Sequence, residues 1–262
     1  MDRVASLENA TRIGFASRGL LYFTIGFLVI RAGRTVSQSG ALEYLNSGSG
    51  KIAVAVMALG FIAYGVWRLT EALVDSEGHG SDAKGLAARA GGVVSGITHV
   101  GLAYAAGSLA TGIGARASGD PAERGAAMAL SLPGGVAMLW VAAVILIGTG
   151  AYQMRKAVRL GFLRYIDADA ARLPAVRWIG RLGYAARGVV FVSMGVFLVQ
   201  AARRARAAEA GGIDQVLDWF PDSLQIIVAA GLALFGVFSL VEARYRRITD
   251  HDVIARLKGL TA

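Results

Sequence analysis

Arg18 and Arg187 stand in two nearly matching phrases, RIGFASRG from Arg12 and RLGYAARG from Arg181, while Glu71 and Glu242 each follow a glycine, Gly65 and Gly236, by six residues. A guanidinium and a carboxylate brought together in an apolar setting form a charge-assisted, bidentate pair that satisfies both groups. Such a pair either pins two helices or holds a lipid headgroup, an ion or a substrate. A third phrase, RAGGVVSG from Arg89, has Ser95 in place of the second arginine, and Lys156 stands where the glutamate is expected. His99 follows Ser95 by one helical turn, on the same face. An imidazole there titrates near neutral pH and is able to relay protons, or it hydrogen-bonds a neighbouring helix. Ser95, His99 and Lys156 are therefore the candidate polar site.

Other chemistry is poorly represented. The chain has no cysteine, no GxSxG elbow, no HExxH and no Walker loop. Haem ligation by His99 would require His79 or His251, both in loops. Asp250, His251 and Asp252 are adjacent and so point in different directions on a helix, which argues against a metal site. The expectation is a non-enzymatic protein with no cofactor and no metal.

The elements that carry these residues are set by hydropathy. Of 262 residues, 55% are hydrophobic and 17% charged, and the mean hydropathy is +0.53, which is too apolar for an ordinary soluble domain. A hydrocarbon core about 30 Å thick needs roughly 20 apolar residues in a helix. Six stretches come close: Gly14 to Ala32, Lys51 to Leu69, Ala90 to Ala115, Gly134 to Met154, Leu182 to Ala202 and Ser223 to Val241. The polar, partly acidic start, MDRVASLENATR, is unlike a signal peptide, so the first span is expected to be retained. The 35 glycines suit close packing of helix backbones in lipid.

The chain is one unit written three times, over residues 11–75, 88–160 and 180–247, within a single membrane domain covering 1–262. Each first helix opens R-x-G-x-x-x-(R/S)-G. Each second helix carries a glycine with an aromatic two residues on: Gly65 and Trp67, Gly150 and Tyr152, Gly236 and Phe238. Between them lie GALEYLNSGSG, GAAMALSLPGG and GIDQVLDWFPD, which read as short helices in the outer interface, with a re-entrant pore segment as the alternative. Two spans per unit give all three the same orientation, hence parallel repeats in a pseudo-threefold bundle.

An even number of spans leaves both termini on one side. The face holding the termini and the loops from Arg68 to Arg89 and from Arg155 to Arg181 collects 19 of the 27 Lys and Arg residues, counting Arg18 and Arg187, which marks it as cytoplasmic.

The repeated Arg-x-Gly openings and the glycine-to-glutamate spacing resemble a family of bacterial membrane proteins built from three tandem copies of the domain of unknown function 1206. The resemblance covers nearly the whole chain. The first and third units match well, and the middle one departs at Ser95 and Lys156. It implies six spans in the bacterial inner (plasma) membrane, and it carries no established activity.

Arg18 must lie inside its span, because the uncharged run from Gly19 to Ile30 is only twelve residues long. It sits about 9 Å beyond Arg12 along the helix axis, a depth from which its side chain reaches the interface. The second helix of each unit returns to the same side, so Arg18 is expected to pair with Glu71, Arg187 with Glu242, and Ser95 with Lys156. The loop RKAVRLGFLRYIDADAARLPAVRWIGR interleaves Arg155, Lys156, Arg159, Arg164, Arg172 and Arg177 with apolar residues, as an interfacial helix on anionic cytoplasmic headgroups would. The tail ARYRRITDHDVIARLKGL reads the same way. Nucleic acid is not an expected partner, since lipid accommodates the interleaved apolar residues. The sequence therefore points to an accessory component acting through helix packing and lipid contacts, with another membrane protein or further copies of itself as partner. A small transporter or channel using the polar middle repeat is the alternative.

Overall fold

The computed structural model describes residues 2–33, 35–47, 50–75, 80–113 and 120–245. The described residues form ten α-helices: α1 (Asp2–Ala32), α2 (Gln38–Leu45), α3 (Lys51–Val74), α4 (Ala83–Thr111), α5 (Pro121–Leu130), α6 (Gly135–Arg159), α7 (Ala168–Arg172), α8 (Pro174–Arg204), α9 (Ile213–Trp219) and α10 (Asp222–Tyr245). Six of them, α1, α3, α4, α6, α8 and α10, are long and apolar enough to cross a membrane. Their outward faces are apolar, with Leu59, Val144 and Ile227 each about two-thirds exposed, as lipid-facing side chains are.

Local chemistry explains where these helices start and stop. Ser37 Oγ accepts from Gly40 N at 3.1 Å to open α2, and Asp82 Oδ1 accepts from Gly85 N at 2.8 Å to open α4. Asp120 caps α5 with Pro121 in the first turn. Gly112, at φ 69°, closes α4 in the left-handed region. The short α2, α5 and α9 link the two long helices of each repeat at one common end of the bundle.

The long helices pack in chain order, and α10 returns to α1. The closest partnerships are α1 with α10, α3 with α4 and α6 with α8, followed by α8 with α10 and α1 with α3. Contact between α4 and α6, the two long helices of the middle repeat, is slight. Each first helix thus packs most heavily on the second helix of another repeat, not on its own hairpin partner.

Glycines make this possible. A methyl group placed on Gly96 would lie 3.0 Å from the Gly65 carbonyl oxygen, one on Gly188 2.9 Å from that of Gly150, and one on Gly19 2.9 Å from that of Gly236. The second glycine of each opening motif therefore rests against the motif glycine of a second helix, backbone on backbone. The first motif glycine faces its own hairpin: methyls on Gly14 and Gly183 would lie 2.6 Å from Tyr64 Cβ and Phe235 Cα. On Gly91 the nearest atom would be Thr149 Oγ1 at 3.3 Å, and on Gly101, Gly107 or Gly148 nothing lies within 4 Å. The α4–α6 seam is the loose one.

The basic loop departs from the expected interfacial helix. Leu160, left-handed at φ 54°, ends α6, and a 3-10 turn (Gly161–Tyr165) followed by the five-residue α7 replaces a continuous helix. Phe162 is buried among Tyr184 and Phe238, and Ile166 and Ala170 also face the protein core. Arg155, Arg159, Arg164, Arg172 and Arg177 remain exposed, beside exposed Leu173 and Trp178. From residue 246 onward the tail, with Asp250, His251 and Asp252, lies outside the described residues, as does His79.

Away from the spans, Asp120 Oδ2 accepts from Gly212 N at 3.0 Å and joins the second repeat to the third. Neighbouring Asp214 is held above the usual carboxylate range, first by burial and then by the charge of Asp120.

Candidate functional site

In the second and third repeats the first arginine of the motif is a helix cap. Arg89 Nε and Nη2 donate to the carbonyls of Ala72 and Leu73 at 2.7 and 3.1 Å, in the last turn of α3. Arg181 donates in the same way to Ala157 and Val158 on α6, both at 3.2 Å. A cation at a helix C-terminus meets both the orphan carbonyls and the negative end of the dipole. Arg181→Ala is expected to lower stability by about 1 kcal/mol in detergent unfolding, whereas Arg181→Lys keeps the charge and recovers part of that loss. This role was missed in the sequence, although the invariant spacing of Arg12, Arg89 and Arg181 signalled it.

The second arginine of the first repeat is buried. Arg18 is 4% exposed; its Nη2 bridges Glu242 Oε2 at 2.5 Å, its Nη1 donates to Tyr64 OH at 2.7 Å, and its Nε donates to Ser239 Oγ at 3.2 Å. Phe15, Tyr64 and Phe235 present ring faces to the guanidinium at 4.6, 5.2 and 5.0 Å. The partner of Arg18 is thus Glu242 of the third repeat, and the expected pairing with Glu71 is corrected. The reason is the packing order: α1 rests on α10 more closely than on α3.

Glu71, fully buried, is bridged by Arg68 from the preceding turn of α3 at 2.8 Å. At the α3–α4 junction the arginine therefore stands on the second helix, and the first helix has Ser95 at the motif position. Ser95 does not pair with Lys156. Its carbonyl accepts from His99 Nδ1 at 2.7 Å, while Lys156 belongs to the α6–α8 junction and lies 4.9 Å from the Tyr152 ring centroid. His99, 4% exposed, packs against Tyr64 and Phe61 at 4.5 and 6.0 Å between centroids. The three residues of the candidate polar site are divided between two junctions.

Arg187, expected to pair with Glu242, instead donates from Nη1 to Gln153 Oε1 at 3.0 Å and from Nε to Tyr22 OH at 3.3 Å. Phe191, Phe235 and Tyr22 lie within 5.5 Å of the guanidinium. Among the described residues no group of three or more His, Cys, Asp or Glu residues is placed to hold a metal ion.

The repeating junctions coincide with a known pattern. The family model for Domain of Unknown Function 1206 matches three times, over residues 13–75, 90–159 and 182–246. The chain belongs to the DUF1206 family. Its three matches are the three tandem copies expected from the opening motifs. It is also 27% identical over 256 residues to the uncharacterized protein YxxB of Bacillus subtilis (strain 168), an alignment covering 93% of this chain and 92% of that protein. No solved structure matches it.

Proposed function

We propose that this DUF1206 protein is a non-enzymatic, multi-pass component of the bacterial inner membrane, with both termini in the cytoplasm, serving as a structural or accessory subunit through helix packing and lipid contacts. One observation carries the reading: residues that recur in the repeats are engaged in holding helices together, glycine on glycine at three junctions between repeats and, in the second and third repeats, arginine on helix end. Recurrence of the same junction supports a pseudo-threefold arrangement about an axis along the membrane normal. The exposed Arg155, Arg159, Arg164, Arg172 and Arg177, with Lys156 beside them, are suited to anionic cytoplasmic headgroups, and α2, α5 and α9 then lie at the outer interface.

Native mass spectrometry of the protein released gently from its own membrane tests the role. A membrane-protein partner, or further copies of the chain, in fixed ratio is the expected result. A lone chain, together with a pH-dependent ion flux in liposomes that disappears in His99→Ala, would replace this reading with transport.

Orientation is tested separately. The chain has no cysteine, so single cysteines report cleanly. Met128→Cys in α5 is expected to react with a membrane-impermeant maleimide in cells whose inner membrane is intact, and Ala168→Cys in α7 only after permeabilisation. The reverse order would invert the topology.

A further inference from the structure

The three junctions between first and second helices balance their charges differently. At α10–α1, Arg18 meets Glu242. At α3–α4, Arg68 meets Glu71. At α6–α8, Lys156 occupies the position that holds glutamate in the other two repeats, and Arg187 meets only the neutral acceptors Gln153 Oε1 and Tyr22 OH. Among the described residues, this junction therefore has a half-buried guanidinium with no carboxylate on it. Aromatic faces at 4.5 and 4.8 Å soften the desolvation of that cation without neutralising it. A charge so placed calls for a counter-charge.

Hydrogen bonding gives a second, independent indication. Gln153 is 4% exposed, and its Nε2 is buried with no acceptor among the described residues. Its Oε1 is already taken by Arg187 Nη1, so exchanging the two amide atoms would only set donor against donor. Arg187 is half-buried, and its hydrogen bonds use Nε and Nη1, which leaves Nη2 for a further acceptor. A buried unsatisfied donor thus belongs to a side chain that hydrogen-bonds a cation. An acceptor carrying negative charge would serve both.

We propose that the α6–α8 junction is an anion-binding site, in which Arg187 Nη2 and Gln153 Nε2 donate to an oxyanion such as a phosphate group. The α4–α6 seam, where contact is slight, borders the same repeat and is the route by which an anion would enter from the side. A phosphate presented by a lipid headgroup and free inorganic phosphate share this chemistry. The site stands whether or not the scaffold role does.

The test uses the full chain in nanodiscs of phosphatidylcholine, titrated with inorganic phosphate, and in parallel nanodiscs of phosphatidylglycerol without phosphate, following Tm. Gln153→Glu is the decisive variant. It supplies an internal carboxylate 3.0 Å from Arg187, so it keeps the junction balanced while removing the need for an external anion. The expected result is a saturable rise in wild-type Tm with phosphate, at least tenfold weaker in apparent affinity in Gln153→Glu, whose own Tm without phosphate equals or exceeds that of the wild type. A rise seen only in phosphatidylglycerol, and lost in Gln153→Glu, upholds the site and assigns the headgroup as the source. Absence of any anion dependence in the wild type, or an equal dependence in Gln153→Glu, overturns the proposal.

Discussion

Arg18→Ala is expected to destabilise the protein by about 3–5 kcal/mol, the range for removing one partner of a buried ion pair and leaving the other charged. The loss has two parts. Glu242, 2% exposed, is left in an apolar surround without its cation, and Tyr64 and Ser239 lose the donor that ties α3 and α10 to α1. A double-mutant cycle assigns the partner. Arg18→Ala with Glu242→Ala should give a coupling energy toward the upper part of the roughly 0.5–3 kcal/mol seen for residues in one network, whereas Arg18→Ala with Glu71→Ala should come out close to additive. Reversing the pair, Arg18→Glu with Glu242→Arg, should recover part of the loss in detergent unfolding. The same reversal with Glu71 should recover none. Coupling to Glu71 instead of Glu242 would mean that α1 and α10 are not joined as described.

That contrast also marks how far the sequence could be read. Six spans were legible because a long apolar helix is the one open-ended way to satisfy a backbone in lipid, and the three tandem units were legible because the same arginines and glycines recur in register. Arg18 and Glu242 were each recognisable as buried charges, but their pairing spans 224 residues. Sequence alone gives the register of each helix without saying which neighbour it leans on. A hairpin partner is the natural assumption, yet the small residues at Gly19 and Gly236 draw α1 closer to α10 than to α3. The same limit hid Arg68, whose charge replaces the arginine lost at Ser95 from a different helix of the junction. Phe162 reads as one apolar residue in a basic loop, suited to lipid. Only the space beside Gly180, where a methyl group would collide with its ring, shows that it belongs inside.

Gly236→Leu provides the most direct test of whether the bundle closes on itself. A methyl group at this position would lie 2.5 Å from Phe23 N and 2.6 Å from the Gly19 carbonyl oxygen, both backbone atoms of α1. Backbone does not give way as a flexible side chain does, so α10 would have to leave α1. The cost should therefore exceed the roughly 1–3 kcal/mol of ordinary overpacking, because the Arg18–Glu242 pair and the bond to Ser239 span the same junction and depend on that spacing. Gly148→Leu is the matched control: it adds the same side chain to a long apolar helix at a place where nothing lies within 4 Å. It should leave the Tm nearly unchanged, or raise it slightly through the lower conformational entropy of the unfolded chain. A large drop for Gly236→Leu with none for Gly148→Leu locates the constraint at the junction of first and last long helices. Equal effects would show that the glycines matter for helix flexibility in general and not for close approach. The distinction bears on the bundle's mechanics, since backbone contact between α1 and α10 would close it at its two ends, while contact across the α4–α6 seam is slight.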